Sequence, residues 1–164
     1  MNDPLRNLKA LRHKVDEHAS RVMAAYPQRF ACRAGCDACC RSERNVSAVE
    51  LHALREAVAA LPPETRAQLQ PGAEDRCSLL LPEGRCAVYE ARPIICRSHG
   101  LPLRMETQLD VCPLNFEGVE LATLPKEDLL SVDTVTAILV VVNRLYCDES
   151  GQDAEERTAV GGLL

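Results

Sequence analysis

Residues 32–40 read Cys32-Arg-Ala-Gly-Cys36-Asp-Ala-Cys39-Cys40, four thiols within nine positions. So dense a set cannot all point into one apolar core. Gaps of two to four residues instead let a tight, glycine-assisted loop wrap sulfurs around a shared cation. A disulfide between the adjacent Cys39 and Cys40 would need a strained ring, and neighbouring thiols more naturally serve different ions or different atoms of a cluster. Cys77, Cys86, Cys96 and Cys112 follow, each on or beside a predicted turn. These eight suffice for two four-thiolate zinc centres, or for one iron–sulfur cluster with ligands to spare. The ninth, Cys147, closes an apolar run far downstream and reads as core packing.

The composition supports that emphasis. The chain has 164 residues, 46% hydrophobic and 26% charged, with a formal net charge of −5. It is sized for one domain over 1–164 and is not of disordered type. Aromatics make up only 3%, so few large rings fill the interior. The longest apolar run, Ala137–Val142, is far short of a membrane span. The opening residues lack the apolar stretch of an export signal, so a cytoplasmic, reducing setting is expected, where clustered thiols bind metal or do redox chemistry. Net acidity disfavours nucleic acid as a partner.

Around the cysteines the pattern is helical. Leu5, Leu8, Leu11, Val15, Val22, Met23 and Tyr26 recur at steps of three and four, which predicts an amphipathic helix over 4–26, capped by Asp3 and stopped by Pro27. Its Arg6, Lys9, Arg12, Lys14 and Arg21 read as a solvated face. Ser47 and Glu50 have capping-box spacing ahead of a second helix that ends at Pro62-Pro63. A short helical turn is expected over 64–70 and a turn at Pro71-Gly72. Residues 77–81 and 85–89 flank Pro82-Glu83-Gly84 as a small hairpin, and Pro93 opens a short helix through Cys96 that closes near Gly100. Residues 101–125 read as loop. Residues 133–149 read as a buried helix, apolar on all sides and central to the core, with Asp133 as cap and Gly151 beyond; 150–164 reads as a fraying tail. The expected fold is mainly α with a small β-hairpin, helices flanking an irregular cysteine-rich metal-binding core over 32–112.

Arg33, Arg41, Arg76, Arg85 and Arg97 each adjoin a cysteine, and guanidinium beside thiolate offsets the charge of a four-sulfur centre. His99, three residues after Cys96, is a reachable alternative ligand, though the thiols already suffice. Asp37 reads as a loop-stabilising side chain.

The ordered string Cys-x3-Cys-x2-Cys-Cys (32–40), Cys77, Gly84-x-Cys86-x2-Tyr89-Glu90-x-Arg92-Pro93-x2-Cys96-Arg97 and Cys112 resembles the YkgJ-type cysteine-cluster family, described as zinc- or iron-chelating with a Cys-x2-Cys-x2-Cys-Cys signature. The first gap here is three residues rather than two. The resemblance implies chelation by Cys32, Cys36, Cys39, Cys40, Cys77, Cys86, Cys96 and Cys112. It also implies bracing of the ligand loop by Tyr89, Glu90, Arg92 and Pro93, with Arg92 paired to Glu90 or a thiolate. Arg92, Arg97 and Tyr89 are thus the expected support around the ligands. A related cluster in flagellin lysine N-methylases is associated with an iron–sulfur centre. This chain is expected to be too short for that module plus a methyltransferase domain, and it lacks a glycine-rich strand–turn–helix.

The sequence therefore predicts a cytoplasmic protein whose partner is a metal ion or cluster, iron–sulfur ahead of zinc, with a protein partner also in view. Two rival classes stand beside it. One is a metal- or iron–sulfur-dependent enzyme or accessory redox protein acting on a macromolecule, with the metal alone carrying chemistry. The other is a zinc-stapled module presenting its basic first helix to RNA or an acidic protein.

Overall fold

A computed structural model describes residues 3–70 and 76–163, so the turn expected at Pro71-Gly72 lies outside the described residues. Helix α1 spans Pro4–Ala25, and the Asp3 carboxylate accepts from the Leu5 and Arg6 amides as its cap. Leu8, Leu11, Val15 and Val22 form its buried stripe. Helix α2 (Ala48–Ala59) follows the two-residue strand β1 (Asn45–Val46), and the short α3 is Pro63–Arg66. Helix α4 (Ile94–Ser98) begins after Pro93, and Gly100 beyond it takes a positive φ of 95°.

Three strands make a small sheet in the order β3-β2-β4: β2 (Leu103–Met105) pairs antiparallel with β3 (Gln108–Asp110) and parallel with β4 (Leu130–Ser131). The small hairpin thus lies in a stretch expected to be loop. At 77–89 the chain does reverse, with Gly84 at φ +77°, yet a single bridge between Leu80 and Cys86 replaces the expected strand pair. Turns on both sides of that bridge divert the backbone before a ladder can extend.

Helix α5 (Val132–Ser150) departs from expectation in two ways. Its cap is Ser131, whose hydroxyl accepts from the Thr134 amide, while Asp133 instead accepts from the Glu106 amide at 2.9 Å. Nor is it central: Val142, Asn143 and Cys147 are buried, but Ile138 and Val141 are 43% and 57% exposed. Val135, Leu139, Val142 and Tyr146, at helical steps, supply the face packed on α1 and α2. Asn143 locks that packing. Its Oδ1 accepts from the Val49 amide (3.1 Å) and its Nδ2 donates to the Ala154 carbonyl (3.0 Å).

The tail is docked where fraying was expected. Strand β5 (Thr158–Ala159) pairs antiparallel with β1, and Val160 is buried beside Leu54 and Val88. Nor is the basic face of α1 wholly solvated. Arg12 is half-buried, and Arg21 bonds Asp128 at 2.6 Å. Tyr26 also donates to Asp128 (2.6 Å), and the hydrogen bonds from Tyr26 and Arg21 hold that carboxyl below its ordinary pKa. A depressed carboxylate stabilises the fold above its unfolded pKa of about 3.9, and the benefit disappears as pH falls through the folded value. Asp128→Asn should therefore lower the unfolding midpoint at pH 7 and leave it nearly unchanged at pH 2; an equal loss at both pH values would contradict this ion pair.

Candidate metal centre

Cys32, Cys36, Cys39, Cys40, Cys77, Cys86, Cys96 and Cys112 all line one cavity of about 800 Å³, whereas Cys147 is buried outside it. Local sequence explains how each thiol arrives. Gly35, at φ +86°, turns the loop between Cys32 and Cys36, and a 3-10 turn over Ala38–Cys40 presents the adjacent pair. The Cys77 amide donates to the Cys40 carbonyl (2.9 Å), which joins the second cysteine stretch to the first. Cys77 and Cys86 pack against the core of Leu54, Leu79 and Val88, and α4 carries Cys96.

The Cys39 and Cys40 sulfurs are 3.9 Å apart. A zinc–sulfur bond of about 2.3 Å makes the edge of a four-sulfur tetrahedron roughly 3.8 Å, so this pair already suits one ion. Among the described residues no three Cys, His, Asp or Glu side chains yet converge on a common point, so ligation requires the cavity wall to draw inward. The donor chemistry nevertheless fits: clustered soft thiolates are the ligands that zinc and iron–sulfur centres use.

Burial raises the thiol pKa values of Cys77 and Cys86 and pushes Cys96 up to about 12. The contact between the Cys39 and Cys40 sulfurs lowers the pKa of Cys39, while the same contact and burial raise that of Cys40. Most of these sulfurs thus stay protonated near neutrality unless a metal charge favours the anion.

Of the arginines next to cysteines in sequence, Arg33, Arg85 and Arg97 line the same cavity, whereas Arg41 and Arg76 do not. Arg41 pairs with Asp37 (2.7 Å), and Arg76 donates to the Leu80 carbonyl (2.6 Å). Arg97, nearly buried, bonds Asp16 and the carbonyls of Glu90 and Arg92. It holds backbone, and no bond to sulfur is present. Arg92 stacks 3.5 Å above the Tyr89 ring and donates to the Tyr89 carbonyl; of its two expected partners, Glu90 or a thiolate, its charge acts on the Cys39 sulfur. The positive charges that act on Cys39 come from Arg44 and Arg92. Arg44, four residues past the pair, also donates to the Cys39 carbonyl (3.1 Å) and was not among the residues expected from sequence. His99 lines the same cavity, and burial lowers its pKa, keeping the ring neutral and able to donate its lone pair.

The family model described as a "putative zinc- or iron-chelating domain", CxxCxxCC, matches residues 31–113, just over half of the chain. The chain belongs to this cysteine-cluster family. No curated protein and no solved structure matches it. The family span begins one residue before Cys32 and ends one after Cys112, so it encloses all eight cavity cysteines. The CxxCxxCC assignment supports a metal as partner and leaves the ion's identity to the chemistry of the cavity.

The remaining supports lie partly outside that span. Glu43 accepts from the Ser78 hydroxyl (2.8 Å) and the Gly161 amide (3.1 Å), and the Arg44 carbonyl accepts from the Val160 amide (2.9 Å). The docked tail thereby fastens the segment just after Cys40. No sequence signal marks these ties, because each joins residues far apart in the chain.

Proposed function

We propose that this protein is a cytoplasmic metalloprotein in which Cys32, Cys36, Cys39, Cys40, Cys77, Cys86, Cys96 and Cys112 bind iron, as an iron–sulfur cluster, or zinc. The observation that carries this reading is the gathering of all eight thiols around one cavity while the ninth packs elsewhere. The histidine-poor donor set favours the iron–sulfur form. The 3.9 Å spacing of Cys39 and Cys40 suits two ligands of one tetrahedral ion, zinc or iron, at that end of the cavity. When bound, the metal supplies positive charge that turns buried thiols into thiolates and cross-links the loops that carry them. Arg44 and Arg92 offset the excess negative charge, and Arg97 keeps the loop before α4 in shape.

Protein purified without oxygen should contain stoichiometric metal. Broad absorbance near 400 nm, with iron and inorganic sulfide, is the expected result for the cluster form, since sulfur-to-iron charge transfer absorbs there. Colourless protein with zinc would select the tetrahedral alternative. Metal-free protein with eight reactive thiols would overturn both.

A further inference from the structure

We propose that Asn115 positions Cys32 as a ligand by donating an N–H···S hydrogen bond to its sulfur; this rests on the metal-binding reading above. Cys32 is the exposed member of the set and needs something to fix it. Asn115 is 2% exposed, and every polar atom of its side chain is used. Its Nδ2 donates to Cys32 Sγ at 3.3 Å and to the Gly100 carbonyl at 2.7 Å, while its Oδ1 accepts from the Ala31 amide at 2.8 Å. One amide therefore ties together the residue before Cys32, the turn after α4 and the loop that bears Cys112.

That loop is built to aim the amide. The Asn115 amide nitrogen donates to the Cys112 carbonyl (2.8 Å), and the next amide, from Phe116, donates to the Arg29 carbonyl (2.8 Å). Phe116 has φ +53°, a conformation that costs a non-glycine residue energy and persists only where the surroundings enforce it. The enforcement comes from its ring, set 5.4 Å from Tyr26 and 5.2 Å from Phe30. Gly100 leaves the needed space. A Cβ there would stand 2.9 Å from Asn115 Nδ2 and 3.0 Å from Cys32 Sγ.

A hydrogen bond to a ligating thiolate withdraws charge from sulfur, so it alters both the metal–sulfur bond and the ligand's orientation. Losing such a supporting bond typically weakens metal affinity about 10–100-fold.

The test uses the full chain loaded with cadmium-113, a spectroscopic stand-in for zinc. In the wild type, a scalar coupling from the Asn115 side-chain amide protons to the metal through Cys32 sulfur is expected. Asn115→Asp keeps the acceptor for Ala31 but has no N–H to give; it should lose the coupling, move the cadmium resonance and bind about 10–100-fold more weakly. A folded Asn115→Asp protein with an unmoved resonance and wild-type affinity would overturn the proposal, as would a cadmium-loaded wild type ligated by Cys32 without the coupling. Failure of the wild type to bind cadmium at all would instead refute the metal-binding reading and take this proposal with it. The wild-type coupling needs no variant to fold.

Discussion

Removing the metal from oxygen-free protein with a chelator is expected to lower its thermal midpoint by roughly 10–20 °C. The number follows from a loss of about 5 kcal/mol at 2–4 °C per kcal/mol for a chain of this length. That loss is well below the 10–16 kcal/mol by which structural zinc stabilises small peptides. It is smaller here because three separate hydrophobic clusters, around Leu54, Val15 and Val49, hold α1, α2 and α5 together on their own. The first thiol loop, residues 32–44, has no comparable support, whereas Leu79 and Val88 anchor the second in the cluster around Leu54. The first loop's fixed points are a few hydrogen bonds, such as Cys77 to Cys40 and Arg44 to Cys39. Hydrogen exchange should accordingly accelerate most over residues 32–44 on chelation, less over 77–89, with α1 and α5 little changed. An unchanged midpoint in protein shown by elemental analysis to be metal-free would mean that ligation contributes nothing to this fold.

The division between core and loops also explains what could be read from the chain. The thiols were legible because metal ligation leaves short, local spacings, and the caps of α1 and α2 because each lies within four residues of what it caps. The exposed flank of α5 was not. Ile138 and Val141 have the composition of a buried face, and only the position of α1 and α2 decides which side of the helix is covered. The docked tail escaped notice for a similar reason, since its two-residue pairing with β1 carries no pattern of its own. At the site, adjacency in sequence was a partial guide to the arginines: Arg33, Arg85 and Arg97 line the cavity, but Arg76 turns to a carbonyl, and Arg44, next to no cysteine, reaches back to Cys39. Asn115 meets Cys32 across 83 positions, a contact that no spacing rule detects.

Glu50 shows how a local signal can conceal a distant role, and replacing it should have the largest effect of any single change outside the thiols. Its Oε2 accepts from the Ser47 amide (3.4 Å), the contact that capping-box spacing foretells, and also from the Ser47 hydroxyl (2.9 Å). Its Oε1 accepts from the Ile94 amide at 2.8 Å, the first residue of α4. Glu50 is 3% exposed, so none of these three donors can turn to water if it is lost. Its charge also acts on the half-buried Arg12 guanidinium, two of whose nitrogens, Nε and Nη2, have no hydrogen-bond partner among the described residues. Glu50→Leu should therefore cost about 3 kcal/mol in urea unfolding of the metal-loaded protein, since unsatisfied buried donors cost about 1–3 kcal/mol each. Glu50→Gln retains one acceptor oxygen and should lose about half as much. Because α4 carries Cys96, the leucine variant should also bind metal more weakly, whereas Asn143→Ala, which breaks buried bonds to Val49 and Ala154 but none to α4, should destabilise without changing affinity. Equal metal affinities for Glu50→Leu and wild type would show that the start of α4 does not govern where Cys96 stands.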